Sequence, residues 1–122
     1  MKKILLIEDD KLFVRIYKNS LQKAGYEIIF LENGENAVEE TKTFKPDLIM
    51  LDLVMPKKDG FETLADLKQD PNTKDTPVFV LSALESEADV AKIKNLGAKK
   101  YIFKSSNSLK TVLKEVNSFL EK

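Results

Sequence analysis

The chain has 122 residues, 43% hydrophobic and 33% charged, with 20 basic and 20 acidic side chains. That length suits one domain with its own core, expected to span residues 1–122, and the charge balance argues against a general nucleic-acid binder, which would carry a basic excess. Cysteine and histidine are absent, which excludes disulfides, thiolate nucleophiles, Ser-His-Asp catalysis and metals held by Cys or His.

No window approaches the roughly 18 consecutive apolar residues of a membrane span. Met1-Lys2-Lys3 is followed by only four apolar residues before Glu8, too few for a secretory signal, so the expected compartment is the cytoplasm. Lys3 to Ile7 is an Ile/Leu run without polar alternation, as in a parallel strand buried on both faces. It ends in Glu8-Asp9-Asp10, where Asp10 suits a helix cap. Leu12, Phe13, Ile16 and Leu21 then repeat at helical spacing until Gly25. Glu27 to Leu31 is a second strand, Asn33-Gly34 a break, and Glu35 to Phe44 a helix with Ala37, Val38, Thr41 and Phe44 inward, closed by Pro46.

Leu48 to Leu51 forms a third strand entering Asp52. Pro56 to Gly60 reads as a turn, and Phe61, Leu64 and Leu67 mark a third helix ending before Asp70-Pro71-Asn72. Val78 to Leu81 is a fourth strand running into Ser82, and Glu85 to Leu96 a fourth helix with Val90, Ile93 and Leu96 on one face, stopped by Gly97. Lys99 to Phe103 is a fifth strand whose lysines suit a sheet edge. Ser105 to Ser108 offer N-caps for a last helix striped by Leu109, Val112, Leu113, Val116 and Leu120. Strand-helix five times over predicts an α/β fold. Its form is a doubly wound, flavodoxin-like, five-stranded parallel sheet of order 2-1-3-4-5, with sites at the carboxyl ends of the strands beside the switch between strands 1 and 3.

On that frame Glu8 and Asp9, Asp52, Ser82 and Lys104 all end strands at one edge. Three carboxylates so close repel by an amount comparable to a domain's whole stability unless neutralised. Lys104 and a hard cation are the available neutralisers, and an oxygen-only donor set selects Mg²⁺ or a close relative. Such a site suits phosphoryl chemistry, with Asp52 as nucleophile forming an acyl phosphate, Lys104 balancing charge and the Ser82 hydroxyl bonding a phosphate oxygen. Taken singly, Ser82 reads as a cap, Lys104 as an edge lysine and Glu8-Asp9-Asp10 as an acidic first turn; it is their joint placement that points to chemistry.

The chain resembles the receiver domain of two-component response regulators. The likeness rests on Ile4 to Asp10, on Pro46 to Pro56 followed by Asp59-Gly60, on Leu81-Ser82-Ala83, and on Gly97-Ala98 through Tyr101-Ile102-Phe103-Lys104. It implies phosphorylation of Asp52 by a histidine kinase or phosphotransfer protein. It implies Mg²⁺ held by Asp9, Asp52 and the Val54 carbonyl, with Glu8 helping through water. Ser82 and Tyr101 are then expected to move together, altering a helix 4/strand 5/helix 5 surface read by a downstream protein. No enzymatic role beyond self-phosphorylation and self-dephosphorylation is expected.

Receivers usually follow the lysine with a proline in cis; here Ser105 follows, and a cis bond there would cost about 3–4 kcal/mol, so a trans bond is expected. Ser105 leaves open a degenerate receiver that binds partners independently of phosphate, although the complete acid set opposes it. Val54 and Leu84 are apolar at positions flanking the path of water to Asp52, which predicts slow self-dephosphorylation. A flavodoxin-like cofactor carrier is disfavoured because Glu8-Asp9-Asp10 would repel an anion, and an aspartyl-phosphate phosphatase because Val54 stands where a second acid would act.

Overall fold

The computed structural model describes residues 1–55, 57–84, 86–104 and 108–121. Its strands are β1 (Lys3–Ile7), β2 (Glu27–Leu31), β3 (Leu48–Asp52), β4 (Val78–Ser82) and β5 (Lys100–Phe103). All pair in parallel in the order β2-β1-β3-β4-β5, as the sequence predicts. The helices are α1 (Lys11–Lys23), α2 (Ala37–Phe44), α3 (Gly60–Gln69), α4 (Glu87–Asn95) and α5 (Leu109–Leu120).

The unbroken apolar runs are explained by two helical layers. Side chains alternate across a strand, so each central strand must feed both faces. Ile4, Leu6, Leu48, Met50, Phe79, Leu81 and Ile102 pack with Val14, Tyr17 and Leu21 of α1 and with Val112, Val116 and Leu120 of α5. Leu5, Ile7, Ile49, Leu51, Val78 and Val80 pack with Ala37, Leu64, Leu67 and Ile93 of α2, α3 and α4. β5 is an edge strand, with Lys100 exposed and Ile102 its one buried residue.

Several boundaries and faces differ from expectation. The inward stripe of α1 is Val14, Tyr17 and Leu21; Leu12 and Ile16, which share its helical repeat, are exposed. Both stripes are apolar, so spacing alone does not choose between them. α2 starts at Ala37 rather than Glu35, because the Asn33 carboxamide oxygen accepts the Glu35 N–H (2.8 Å) and holds a turn before the helix. α4 starts at Glu87, because Ser86 is extended and caps it (Asp89 N–H to Ser86 Oγ, 3.4 Å). Glu85, Pro56, the Ser105-Ser106-Asn107 caps and the bond joining Lys104 to Ser105 lie outside the described residues. Ser108 caps α5, and Asp10 caps α1 by accepting the N–H groups of Leu12 and Phe13 (3.0 and 3.2 Å).

Asp59-Gly60 is a helix start rather than a turn. Asp59 Oδ1 accepts the Glu62 N–H at 2.9 Å and Gly60 is the first residue of α3, while Lys57 carries the positive φ of 65° in this connection. Gly60 is required by close approach. Its N–H donates to the Leu53 carbonyl at 2.9 Å, and a Cβ there would lie 2.4 Å from the Asp52 carbonyl oxygen and 2.5 Å from the Leu53 Cα. α3 is thereby pressed against the backbone that carries Asp52. Gly60→Ala is expected to destabilise the fold by about 1–3 kcal/mol, the usual cost of overpacking, read from the urea midpoint; an unchanged midpoint would contradict the close packing.

Candidate functional site

Alternation along the strands sorts the strand-end residues into two rows. Glu8 continues the row of Ile4 and Leu6, Asp52 that of Leu48 and Met50, and Lys104 that of Ile102, all toward the α1/α5 layer. Ser82 continues the row of Val78 and Val80 toward α4, the layer that also receives Tyr101. Strand pairing persists past the last apolar residues: the Glu8 N–H donates to the Leu31 carbonyl and the Lys104 N–H to the Ser82 carbonyl, each at 2.9 Å. The backbone thus fixes where these side chains start.

Within the first row charge is crowded. Glu8, Asp9 and Asp52 each offer a carboxylate oxygen within 4.8 Å of the others. Glu8 is 2% exposed and Asp52 6%, while Asp9 is open to solvent. Lys104 Nζ donates to Glu8 Oε1 at 2.5 Å, lies 3.5 Å from Asp52 Oδ1 and rests 4.3 Å above the Phe13 ring. The Asp10 N–H adds a bond to Glu8 Oε2 at 3.2 Å.

Burial pushes the Glu8 carboxyl up to about 7; the Lys104 ammonium opposes this, and the neighbouring Asp52 charge adds to it. Burial also raises Asp52, against Lys104, a hydrogen bond with Glu8 and the N–H groups of Val54 and Leu53. One ammonium faces two buried carboxylates and a third beside them, so an excess of negative charge remains. An oxygen-only set of three carboxylates fits a hard divalent cation, which would remove that excess.

The second row is joined by the main chain of Leu84. Ser82 Oγ accepts the Leu84 N–H at 3.2 Å, and the Tyr101 hydroxyl donates to the Leu84 carbonyl at 2.6 Å. Ser82 is fully buried, and Tyr101 is half-buried with its ring 5.2 Å from that of Phe103. One residue's two backbone groups therefore connect the hydroxyl at the end of β4 to an aromatic ring on β5. Val54 leaves its side chain exposed at the mouth of the site. Sequence reasoning overlooked both the Leu84 main chain and Phe13; only the position of Phe13 in the first turn after the acidic run could have signalled its place under Lys104.

The response regulator receiver domain family matches residues 4–117. PilH of Pseudomonas aeruginosa is 31% identical over 120 residues, covering 98% of each chain. PhoP of Bacillus subtilis, an alkaline phosphatase synthesis transcriptional regulatory protein, is 37% identical over 103 residues. That alignment takes in 84% of this chain but 42% of PhoP, so the chain spans less than half of that relative. Among solved structures, the Mn²⁺-bound form of response regulator Rcp1 matches with a TM-score of 0.84 at 36% identity, covering 98% of this chain and 94% of that one. With a family match over nearly the whole chain and a relative aligned end to end, the chain belongs to the response regulator receiver domain family.

Proposed function

We propose that the chain is a phosphoacceptor of a two-component relay, taking a phosphoryl group on Asp52 from the phosphohistidine of a histidine kinase or phosphotransfer protein. The observation that carries this is the cluster of Glu8, Asp9 and Asp52 carboxylates met by Lys104 from the end of β5. An Asp52 carboxylate oxygen attacks phosphorus, the P–N bond to the donor imidazole breaks, and an aspartyl phosphate forms. The N–H groups of Leu53 and Val54 favour the ionised nucleophile against burial. Lys104 is placed to face the added oxygens.

Mg²⁺ fits the site, held by Asp9, Asp52 and the Val54 carbonyl, with Glu8 acting through water; when bound it offsets negative charge on the transferring group. Mn²⁺ in the Rcp1 structure supports a divalent ion of this kind. The chain then works in the cytoplasm as a switch, and its only catalysis is of its own phosphorylation and dephosphorylation.

The signal leaves through Leu84. A phosphate on Asp52 adds strong acceptor oxygens that draw the Ser82 hydroxyl, and a side-chain rotation that carries Oγ toward them breaks its bond with the Leu84 N–H. The carbonyl of that same residue holds Tyr101, so the shift is felt on β5 and the surface it shares with α4 and α5, where a downstream protein reads it.

Three outcomes are expected. Incubation with acetyl phosphate and Mg²⁺ adds one phosphate by intact mass, and none appears in Asp52→Ala or without divalent ion; equal labelling of Asp52→Ala would sink the assignment. Because Glu8 sits raised at about 7, a proton holds the metal-free site below that pH and must leave when a cation binds. Divalent affinity is therefore weaker at about pH 6 than at about pH 8, with proton uptake by the buffer at the lower pH, read by calorimetry in two buffers of different ionisation enthalpy. A flat affinity would remove Glu8 from the site. Finally, Val54→Asn and Leu84→Glu each speed the decay of phosphorylated Asp52 several-fold; no acceleration in either would show that these apolar side chains do not limit water.

A further inference from the structure

Balanced overall charge hides a one-sided stretch. From Val90 to Lys114 there are seven lysines and no aspartate or glutamate. One of them, Lys104, belongs to the site described above; the other six are exposed on α4, at the start of β5 and on α5. Lys100 pairs with Glu115, and Lys92 lies 4.4 Å from the centre of the Phe61 ring. Lys94, Lys99, Lys110 and Lys114 make no ion pair among the described residues. Like charges gathered without acids raise the local potential and attract an opposite charge.

Between the lysines the surface is recessed and in part apolar. Tyr101, Ile102 and Phe103 line a groove of about 380 Å³ rimmed by Lys94, Lys99, Lys100 and Glu115. Leu109 and Leu113 line a second depression of about 490 Å³ edged by Lys110 and Lys114. A second copy presenting the same face would set lysines against lysines. A duplex or a membrane would rest on the lysine tips and leave the recessed aromatic lining unfilled. A protein segment can do both jobs, placing carboxylates on the rim and side chains in the grooves.

We propose that this face docks a net-acidic protein segment bearing aromatic or aliphatic side chains. The proposal rests on the output role given above to the α4, β5 and α5 surface, and it names the chemistry of the partner. The test is selection from a random dodecapeptide display library on the whole chain, with and without acetyl phosphate and Mg²⁺, followed by fluorescence anisotropy on the enriched peptides.

Net-acidic peptides with aromatic or aliphatic residues are expected. Their affinity should fall roughly tenfold between about 50 and about 300 mM salt. The Lys94→Glu/Lys99→Glu double variant should bind roughly tenfold more weakly while gaining phosphate at Asp52 as the parent does. Neutral or basic peptides, or equal binding by the double variant, overturn the proposal. So does tighter binding of mixed-sequence duplex DNA or phosphatidylserine vesicles, or self-association at low salt that the double variant abolishes. Acidic peptides that bind equally with and without phosphate support the acidic partner and overturn the switch. Phosphate uptake without acidic enrichment overturns the partner and leaves the switch standing.

Discussion

Two carboxylates buried side by side with one ammonium between them set the terms for this molecule. Glu8 is 2% exposed and Asp52 6%, and Lys104 touches both. Two unit charges about 4 Å apart interact by roughly 4 kcal/mol at the effective dielectric typical of such sites. Domains of this size are stable by only about 5–15 kcal/mol, so the excess negative charge cannot be left unmet. It must be balanced by a proton, as the raised Glu8 carboxyl indicates, or by a cation. Every larger feature serves that crowding. Parallel pairing aligns the strand ends, Gly60 lets α3 close on the backbone of Asp52 and Leu53, and the Phe13 ring supports the lysine.

The fold was legible because two periods run through the chain without conflict. Short continuous Ile/Leu/Val runs bounded by breakers fit strands buried on both faces, and the stops at Gly25, Pro46 and Gly97 separate them. What failed were choices between equally apolar faces and boundaries set by side-chain bonds to backbone. Leu12 and Ile16 look as core-like as Val14 and Tyr17, and only the docked helix decides. Asn33 and Ser86 delay α2 and α4 by capturing N–H groups, which a pattern of apolar residues does not reveal. That Glu8, Asp9, Asp52 and Lys104 meet was legible by type and place, since strand ends with acids and a lysine seldom coincide. The Leu84 connection was not, because a backbone amide and carbonyl carry no residue-type signal.

Charge is also segregated in a way that totals conceal. Twenty bases and twenty acids cancel, yet three carboxylates meet at the open end of β1 and β3 while the stretch from Val90 to Lys114 carries seven lysines and no acid. A phosphate arriving at Asp52 adds to the negative pole and leaves the cationic face chemically intact. In the proposed switch what would reach that face is a rearrangement rather than a new charge, so its electrostatic preference for partners would be the same before and after activation.

Leu84 gives its amide and its carbonyl to Ser82 and Tyr101, and its side chain takes part in neither bond. A link made of main-chain atoms survives nearly any replacement at that position, proline excepted, because proline lacks the N–H. If the proposed role of that side chain in shielding Asp52 holds, it would be free to vary with the demands on lifetime while the main-chain connection stays constant. Under the proposed switch, how long a message lasts and whether it is transmitted would be set by different atoms of one residue, so evolution or an engineer could retime the signal without rewiring it.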